Sequence, residues 1–411
     1  MPILELLRQF RHDMRTQRLR TILTVMGIAW GTVAVVVLLA FGTGLSRQMK
    51  TNALGLGDGI VIMSGGRTTR PFEGFPEGRA IRLTEVDAEI LRREIPTLTE
   101  ISPEYGQSTR VSNGPTGANP YVTGILPEYA VMRNIHVRGG GRFINALDLD
   151  QRRRVAVLGN GLDSLLFKGE DAVGREVRIG EVPFIVVGVM QPKTQNSSYQ
   201  ARDQDRVFIP ASTHRALFGQ QYIRHIVYRA GDPEETKAAE RQVFEILGRR
   251  HKFDAADRTA LNVWDTNEQM RMFKYLFLGF NMFLGIVGAF TLTVGGIGVA
   301  NIMYIVVRER TAEIGIRRSV GARRRDILRQ FIAETFVVVG LGAAAGTVLS
   351  AGIIALGTMA PFQEEIGRPV VSLPVAAATM GLLAGIAFMA GLFPARKAAS
   401  MDPVECLRTG I

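Results

Sequence analysis

The sequence of 411 residues is poor in the residue types that most often carry chemistry. It contains one cysteine, Cys406, and five scattered histidines. A single cysteine excludes a disulfide within the chain, so every domain must be held by its own hydrophobic core. The histidines have no partners at metal-ligand spacing, and they are His12, His136, His214, His225 and His251.

Sequence motifs for nucleotide binding and covalent catalysis are absent as well. No Gly-x-x-x-x-Gly-Lys-Ser/Thr loop, which cradles phosphates, occurs in the sequence, and neither does a Gly-x-Ser-x-Gly elbow. We therefore predict a chain that is not an enzyme and that has no catalytic, cofactor or metal-binding residues of its own.

Composition indicates both membrane and aqueous parts. The mean hydropathy is +0.12, which is high for a soluble protein and low for a chain lying wholly in a membrane. The formal net charge is +11, which fits either nucleic acid or an anionic membrane surface as partner. The position of the basic residues decides between these two.

Four long apolar segments predict four transmembrane helices, because a bilayer core takes about 20 apolar residues of helix. They are residues 21–45, 273–307, 331–358 and 373–393. The first is too long for a cleavable signal peptide and lacks a convincing cleavage site, so it is expected to be retained. The second, at about 35 residues, exceeds a core of ~30 Å and would tilt or project as a stalk.

Small residues four apart favour close packing of these helices in a bundle or a dimer. The pattern occurs in Gly27–Gly31, Gly342–Gly346 and Gly381–Gly385.

Arginine placement predicts the orientation, since short cytoplasmic loops carry the excess of Lys and Arg. Arginines crowd residues 1–20 and 308–329 and recur in the C-terminal tail, whereas the loop before the last span holds Glu364 and Glu365. Both termini are therefore expected in the cytoplasm, and residues 46–271 on the far side of the membrane. Residues 1–20 have apolar positions at helical spacing and predict an amphipathic helix at the inner lipid interface. The basic excess is a topology signal, and we expect no nucleic-acid partner.

The segment 46–271 predicts a large α+β extracytoplasmic domain. Strands are expected at Ile60–Met63, Val155–Leu158, Phe184–Val189 and Ile223–Tyr228. Helices are expected at Glu85–Arg93, capped by Thr84, and at Pro233–Gly248, capped by Asp232. We divide the segment into an α+β subdomain, residues 46–120 with 223–271, and an inserted β-rich subdomain, residues 121–222.

The segment 308–329 is a short helical stretch that breaks near Gly321. It holds acidic Glu313, apolar Ile314 and Ile316, and basic Arg317 and Arg318. Such a stretch can dock in a groove of a cytoplasmic partner. The alternative is a basic loop that only fixes topology, and charge alone favours that alternative.

Resemblance to a known protein family favours docking over a loop that only fixes topology. Asn301-Ile-Met303, followed by Glu309 to Ala322, closely resembles the signature of the MacB/FtsX-like ABC transporter permeases, and Pro394 to Arg408 resembles their C-terminal motif, with Cys406 where alanine is usual. Residues 154–190 look like the MacB-type core domain. The likeness implies that residues 272–411 are an FtsX-like permease domain and that the α+β subdomain is porter-like.

The family likeness also implies partners. It implies two permease chains and two cytoplasmic ATPases, which bind the ATP and Mg and on which residues 308–329 rest. Only about 20 residues precede the first span, so the ATPase is expected on a separate chain. The residues implied to couple the two chains are Glu309, Arg310, Glu313, Ile314, Gly315, Arg317, Gly321 and Ala322.

The function implied is mechanotransmission, in which ATP-driven closure in the cytoplasm moves the stalk and reshapes the external domain. Efflux of a drug, peptide or lipid-like compound, with a periplasmic adaptor and an outer-membrane channel as possible partners, is the leading expectation. Lipoprotein release and control of a cell-wall hydrolase are alternatives within the family. A membrane sensor is a further alternative, although it predicts an output domain that the sequence lacks, and a membrane enzyme would need a polar site that is not visible.

Overall fold

A computed structural model describes residues 18–195, 197–359, 367–402 and 406. They belong to two units. The helical unit comprises the described residues up to 49 and from 274 on, and the large domain is residues 50–273. The predicted amphipathic helix at 1–20 lies, except for its last three residues, outside the described residues.

The helices and strands of the described residues are numbered here along the chain. The helices are α1 (Arg18–Leu56), α2 (Glu85–Glu94), α3 (Tyr129–Met132), α4 (Ala146–Asp150), α5 (Asn160–Phe167), α6 (Ala211–Phe218), α7 (Thr236–His251), α8 (Thr266–Glu309), α9 (Thr311–Ser319), α10 (Arg324–Gly357) and α11 (Leu373–Ser400). The strands are β1 (Ile60–Gly65), β2 (Leu98–Ser108), β3 (Val111–Asn113), β4 (Thr116–Ala118), β5 (Tyr121–Ile125), β6 (Val155–Leu158), β7 (Glu176–Ile179), β8 (Val182–Val189), β9 (Arg206–Pro210), β10 (His225–Ala230) and β11 (Leu261–Asp265).

Four helices, α1, α8, α10 and α11, are long and apolar enough to cross a membrane. The large domain, which mixes helices and strands, follows the first of them, so the predicted fold class is confirmed. Helix α8 has 44 residues and is therefore about 66 Å long, roughly twice a bilayer core. Its length exceeds the apolar run because polar residues from Thr266 onward continue the helix.

Glycines of the helical unit show which small-residue motifs lie in helix contacts. A Cβ on Gly342 would lie 2.7 Å from Cβ of Ile28, and one on Gly346 would lie 2.6 Å from the carbonyl oxygen of Ala29. Helices α1 and α10 therefore approach at a distance that larger residues would prevent. Gly381 and Gly385 of α11 have open space at the same position, so nothing in the described part of the unit packs against that motif.

The large domain is built on an 11-stranded sheet in the order β11-β1-β10-β2-β5-β9-β6-β8-β7-β3-β4. The pairs β5–β9 and β6–β8 are parallel, and the other neighbours are antiparallel. Strand β2 changes partner along its length: residues 98–104 pair with β10 and residues 105–108 pair with β5. One core packs α2 and α7 on the β1–β10–β2 end, and another packs α5 on β6, β8 and β9.

Local predictions for this domain find the right elements, and several of their bounds are shifted by two or three residues. Strand β6 has the predicted bounds, and β1 and α2 begin at the predicted residues. Helix α7 begins at Thr236, three residues later than predicted. The carboxylate of Asp232 accepts from the backbone N–H of Glu234, 2.9 Å away, and so closes a turn rather than capping the helix. Strand β10 likewise begins two residues late, at His225. The division of the domain into two subdomains stays a prediction.

Candidate coupling site

Helix α9 follows α8 directly and leads into α10. A helix of nine residues is marginal on its own, so its stability must come from packing. Ile314 supplies that packing: it is 3% exposed and belongs to a buried cluster that includes Val307 of α8 and Ile327 of α10. Gly315 beside it is also buried.

A chain of polar contacts fastens α9 to α10. Nη1 of Arg310 donates to both oxygens of Glu334, at 3.1 and 3.3 Å, and both side chains are nearly buried. Gln330 donates to the same carboxylate at 3.0 Å and accepts from Nη1 of Arg317 at 2.7 Å. The other terminal nitrogen of Arg317 lies 2.6 Å from Oε1 of Glu313, so the chain closes on α9 itself.

A second fastening joins α9 to α11. Nη1 of Arg318 donates to the carbonyl oxygen of Ala399 at 2.7 Å, in the last turn of α11. Arginine near a helix C-terminus satisfies a carbonyl that has no partner within the helix. Side-chain contacts thus tie α9 to α10 and α11, and the backbone connects it to α8 and α10.

The end of α9 is a Schellman motif. The backbone N–H of Gly321 donates to the carbonyl of Arg318 at 3.2 Å, and that of Ala322 donates to the carbonyl of Arg317 at 3.0 Å. Gly321 has φ +104°, a conformation that other residues rarely adopt. The predicted break at Gly321 is therefore a specific helix stop, and Ala322 packs against the buried cluster beyond it.

Exposure sorts the residues assigned to coupling. Glu309 and Gly321 are exposed, and Ile314 and Gly315 face the interior of the helical unit, where they hold α9 in place. The remaining four are partly buried, and they are Arg310, Glu313, Arg317 and Ala322. Their role in coupling stays a prediction.

Two apolar residues at the end of this segment face solvent. The sequence reasoning included Ile316 in the docking stretch but missed Val320, which follows the last residue of α9. Ile316 is 54% exposed and Val320 is 84% exposed. They are four residues apart and so share one helix face. A helical projection could have shown that both face solvent, since two residues apart on a helix puts Ile316 on the side opposite Ile314.

The large domain holds a second cluster that the sequence reasoning missed. Glu104 of β2 is fully buried and accepts hydrogen bonds from Nη1 of Arg206 at 3.1 Å and from the hydroxyl of Tyr129 at 3.1 Å. The hydroxyl of Tyr199 donates to the same carboxylate. His225 lies opposite Glu104 in the pairing of β10 with β2.

Asp203 is the second buried carboxylate of this cluster. It pairs with Arg133 and with Lys193, each at 2.6 Å. Burial opposes its charge, but the surrounding cations outweigh burial and hold the pKa of Asp203 below its usual value. Burial lowers the pKa of Lys193 to about 8. The ring centre of Tyr199 lies 5.1 Å from the guanidinium carbons of both Arg133 and Arg206. Some nitrogens of these two arginines have no hydrogen-bond partner among the described residues, and the aromatic ring stabilises their charge by cation–π contact.

Among the described residues, no group of three or more His, Cys, Asp or Glu is placed to hold a metal ion. What the geometry offers is a short helix with an exposed apolar residue, fixed by side-chain contacts to α10 and α11. The class of protein so defined is a polytopic membrane protein.

Comparison with known proteins gives the family. Residues 21–246 match the model of the MacB-like periplasmic core domain, and residues 285–403 match that of the FtsX-like permease C-terminal region. The chain belongs to the MacB/FtsX-like family of ABC transporter permeases.

Curated relatives agree with this assignment. The macrolide export ATP-binding/permease protein MacB of Bdellovibrio bacteriovorus is 30% identical over 99% of this chain and 62% of its own length. The pyoverdine export ATP-binding/permease protein PvdT of Pseudomonas putida is 34% identical over 98% of this chain and 60% of its own length. The chain thus spans about 60% of the length of these relatives.

A solved structure is also similar. The periplasmic region of MacB from Actinobacillus actinomycetemcomitans matches 54% of this chain and 96% of its own, at 19% identity and a TM-score of 0.44.

Proposed function

We propose that this chain is the permease subunit of an ABC exporter and that a separate cytoplasmic ATPase, which binds the ATP and Mg, drives it. The observation that carries the proposal is helix α9, whose exposed face of Ile316 and Val320 is backed by fastenings to α10 and α11. An apolar pair on a rigidly held helix suits docking in a groove of a partner. Force applied to that pair would reach the membrane helices through buried contacts rather than through a flexible loop.

The coupling residues divide by role in this proposal. Ile316 and Val320 contact the ATPase together with exposed Glu309. Arg310, Glu313 and Arg317 transmit the movement to α10 through Glu334 and Gln330. Ile314, Gly315, Gly321 and Ala322 fix the position and end of α9.

Two copies of the chain would work with two ATPases, and closure of the ATPases would move α1 and α8 as a stalk. The exceptional length of α8 supports this part of the proposal, because a rigid helix of about 66 Å can carry a displacement past a bilayer core of ~30 Å. Export of a drug, peptide or lipid-like compound, through an adaptor and an outer-membrane channel, is the leading output. The relatives named as macrolide and pyoverdine exporters favour export over lipoprotein release or control of a cell-wall hydrolase.

Val320→Asp tests the docking role. Val320 is 84% exposed, so the change leaves folding intact, but it puts a charge at the proposed apolar contact. We expect the variant to reach the membrane and to lose about tenfold or more of the ATPase activity that co-purifies with the parent chain. Val131→Asp, at a 57% exposed site of the large domain, is the matched control and should behave like the parent.

Glu313→Lys tests transmission separately. It turns the contact of Glu313 with Arg317 into repulsion, so we expect an ATPase that still binds but is no longer stimulated by the permease. Parental binding and stimulation in both variants would reduce the segment 308–329 to a topology determinant. A parent chain that never co-purifies with an ATPase would contradict the assignment of a separate subunit.

The proposed orientation places both termini and α9 in the cytoplasm and the large domain outside the inner membrane. Cys406 is only 3% exposed, so its failure to react would say little about its compartment. New cysteines at two exposed positions, Ser164 of α5 and Ser319 of α9, give a usable test in a Cys406→Ala background. An impermeant thiol reagent should label intact cells at position 164 and not at 319, and the reverse pattern would overturn the orientation.

A further inference from the structure

The large domain has a cavity of about 740 Å³ that none of the functions above uses. It opens between the end of β1, the segment 81–83 and the segment 219–225, which leads into β10. Its volume lies within the range of about 300–1,000 Å³ that small-molecule sites occupy. Gly65 at the end of β1 allows its wall to form, because a Cβ there would lie 1.9 Å from the carbonyl oxygen of Ile81.

Two arginines reach this cavity because their neighbours are anchored in the core. Leu83 and Ile223 are 1% and 6% exposed, and the backbone N–H of Ile223 donates to the carbonyl of Leu83 at 3.0 Å. Arg82 and Arg224, each next to one of these buried residues, are themselves exposed and line the cavity together.

The cavity wall is electropositive and rich in hydrogen-bond donors. Its lining contains no aspartate and no glutamate. The guanidinium carbon of Arg82 lies 5.1 Å from the ring centre of Tyr222, which limits the positions the arginine can take. Three glutamines, whose amides are both donors and acceptors, complete the polar part of the wall: Gln200, Gln220 and Gln221.

His225 adds a buried polar group to the same wall. Its residue is 8% exposed, and its Nδ1 has no hydrogen-bond partner within the described residues. The nearest carboxylate oxygen, Oε1 of Glu104, is 3.9 Å away and thus beyond hydrogen-bond reach. The ring of His225 packs against that of Tyr199 in the buried cluster, with 4.7 Å between ring centres, so His225 forms the inner side of the wall rather than a contact for a ligand.

We propose that this cavity is a binding site for a small organic anion bearing carboxylate or phosphate groups, held by Arg82 and Arg224. Two guanidiniums on adjacent, hydrogen-bonded segments suit such groups, since each can donate two parallel hydrogen bonds to one acid group. Binding is a property of this chain alone. The proposal therefore stands or falls independently of the ATPase partner.

The test uses the purified full-length chain in nanodiscs of neutral phosphatidylcholine, with carboxyfluorescein as the anionic probe and fluorescence anisotropy as the readout. We expect saturable binding that weakens as salt rises. Arg82→Gln with Arg224→Gln should weaken it by about tenfold or more, because two charge-assisted contacts are lost. Arg178→Gln with Arg241→Gln removes the same charge from exposed sites outside the cavity and should leave affinity unchanged.

Competition identifies the acid group. Displacement by citrate points to carboxylates, displacement by fructose bisphosphate points to phosphates, and either result supports the site. The proposal is overturned if neither competitor displaces the probe, if the cationic dye rhodamine 123, whose carboxyl group is esterified, binds as tightly, or if the two double variants weaken binding equally. A chain that binds the probe but recruits no ATPase would contradict only the exporter proposal.

Discussion

Glu104 is the residue whose replacement should most reveal how the large domain is held together. It is fully buried in β2 and accepts hydrogen bonds from Arg206, Tyr129 and Tyr199. Glu104→Gln keeps the size of the side chain and removes its charge. Arg206 is then left with Asp203 as its nearest carboxylate, at 3.7 Å.

Breaking a buried ion pair by removing one partner costs about 3–5 kcal/mol, since the remaining charge stays buried without its hydrogen-bonded partner. Asp203 compensates Arg206 only in part, because it is shared with Arg133 and Lys193. Domains are stable by only about 5–15 kcal/mol, so Glu104→Gln should bring this one close to unfolding. The same strand offers a matched control. Glu100 pairs with Arg229 at 2.6 Å, but both side chains are over one-fifth exposed, so Glu100→Gln should cost about 1 kcal/mol or less.

Tryptophan fluorescence can measure this difference within the full chain. The sequence has two tryptophans, and Trp264 lies in β11 of the large domain. With Trp30→Phe as the background, urea unfolding reports on the large domain alone. A free energy of unfolding for Glu104→Gln within about 1 kcal/mol of that for Glu100→Gln would refute the argument, because the buried charges would then contribute no more than surface ones.

Two further predictions concern pH and helix packing. Burial lowers the pKa of His214 to about 4. Between pH ~6.5 and 4, the unfolded chain therefore binds a proton that the folded chain does not. As the pH is lowered through this range, the free energy of unfolding should decrease by about 3 kcal/mol. His214→Phe keeps the stacking on Tyr105, and the urea midpoint of this variant should lose that part of its pH dependence, whereas an unchanged profile would contradict the assignment. Gly346→Val should destabilise the helical unit by about 1–3 kcal/mol in a detergent melt, while Gly381→Val, with open space at its Cβ, should not. Equal melting temperatures would show that α1 and α10 do not depend on close approach.

The membrane helices could be predicted because their signal is local. An apolar run of membrane length requires no knowledge of distant residues, and each predicted span lies in a long helix. Their ends could not be read in the same way. Helix α8 continues through the polar residues Thr266 to Arg271, because backbone hydrogen bonding continues a helix regardless of hydropathy.

Helix α9 shows a partial success for a similar reason. The stop at Gly321 was readable, since glycine followed by a packing residue is a local signal for a helix end. The fastenings to Glu334 and Ala399 join residues 24 and 81 positions apart, and no spacing rule connects them. In the sequence, Glu334 is an isolated charge at the edge of an apolar run. Its partner Arg310 becomes evident only from the structure.

The buried charges of the large domain were unreadable because they become neighbours only through strand order. Glu104 and Arg206 are 102 residues apart, and each looks like a surface residue in its own segment. Glu104 is the last residue of β2 to pair with β10, and Tyr105 is the first to pair with β5. The cluster thus sits where one strand changes partner.

This position gives a physical reason for keeping charges where apolar residues of similar volume could be as stable. A strand that changes partner can slip by a residue, and a slip turns its buried side chains to the other face. Apolar contacts tolerate such a change more readily than a carboxylate that must meet three donors at once, because hydrogen bonds are directional. We infer that Glu104 fixes the register of β2 at this point.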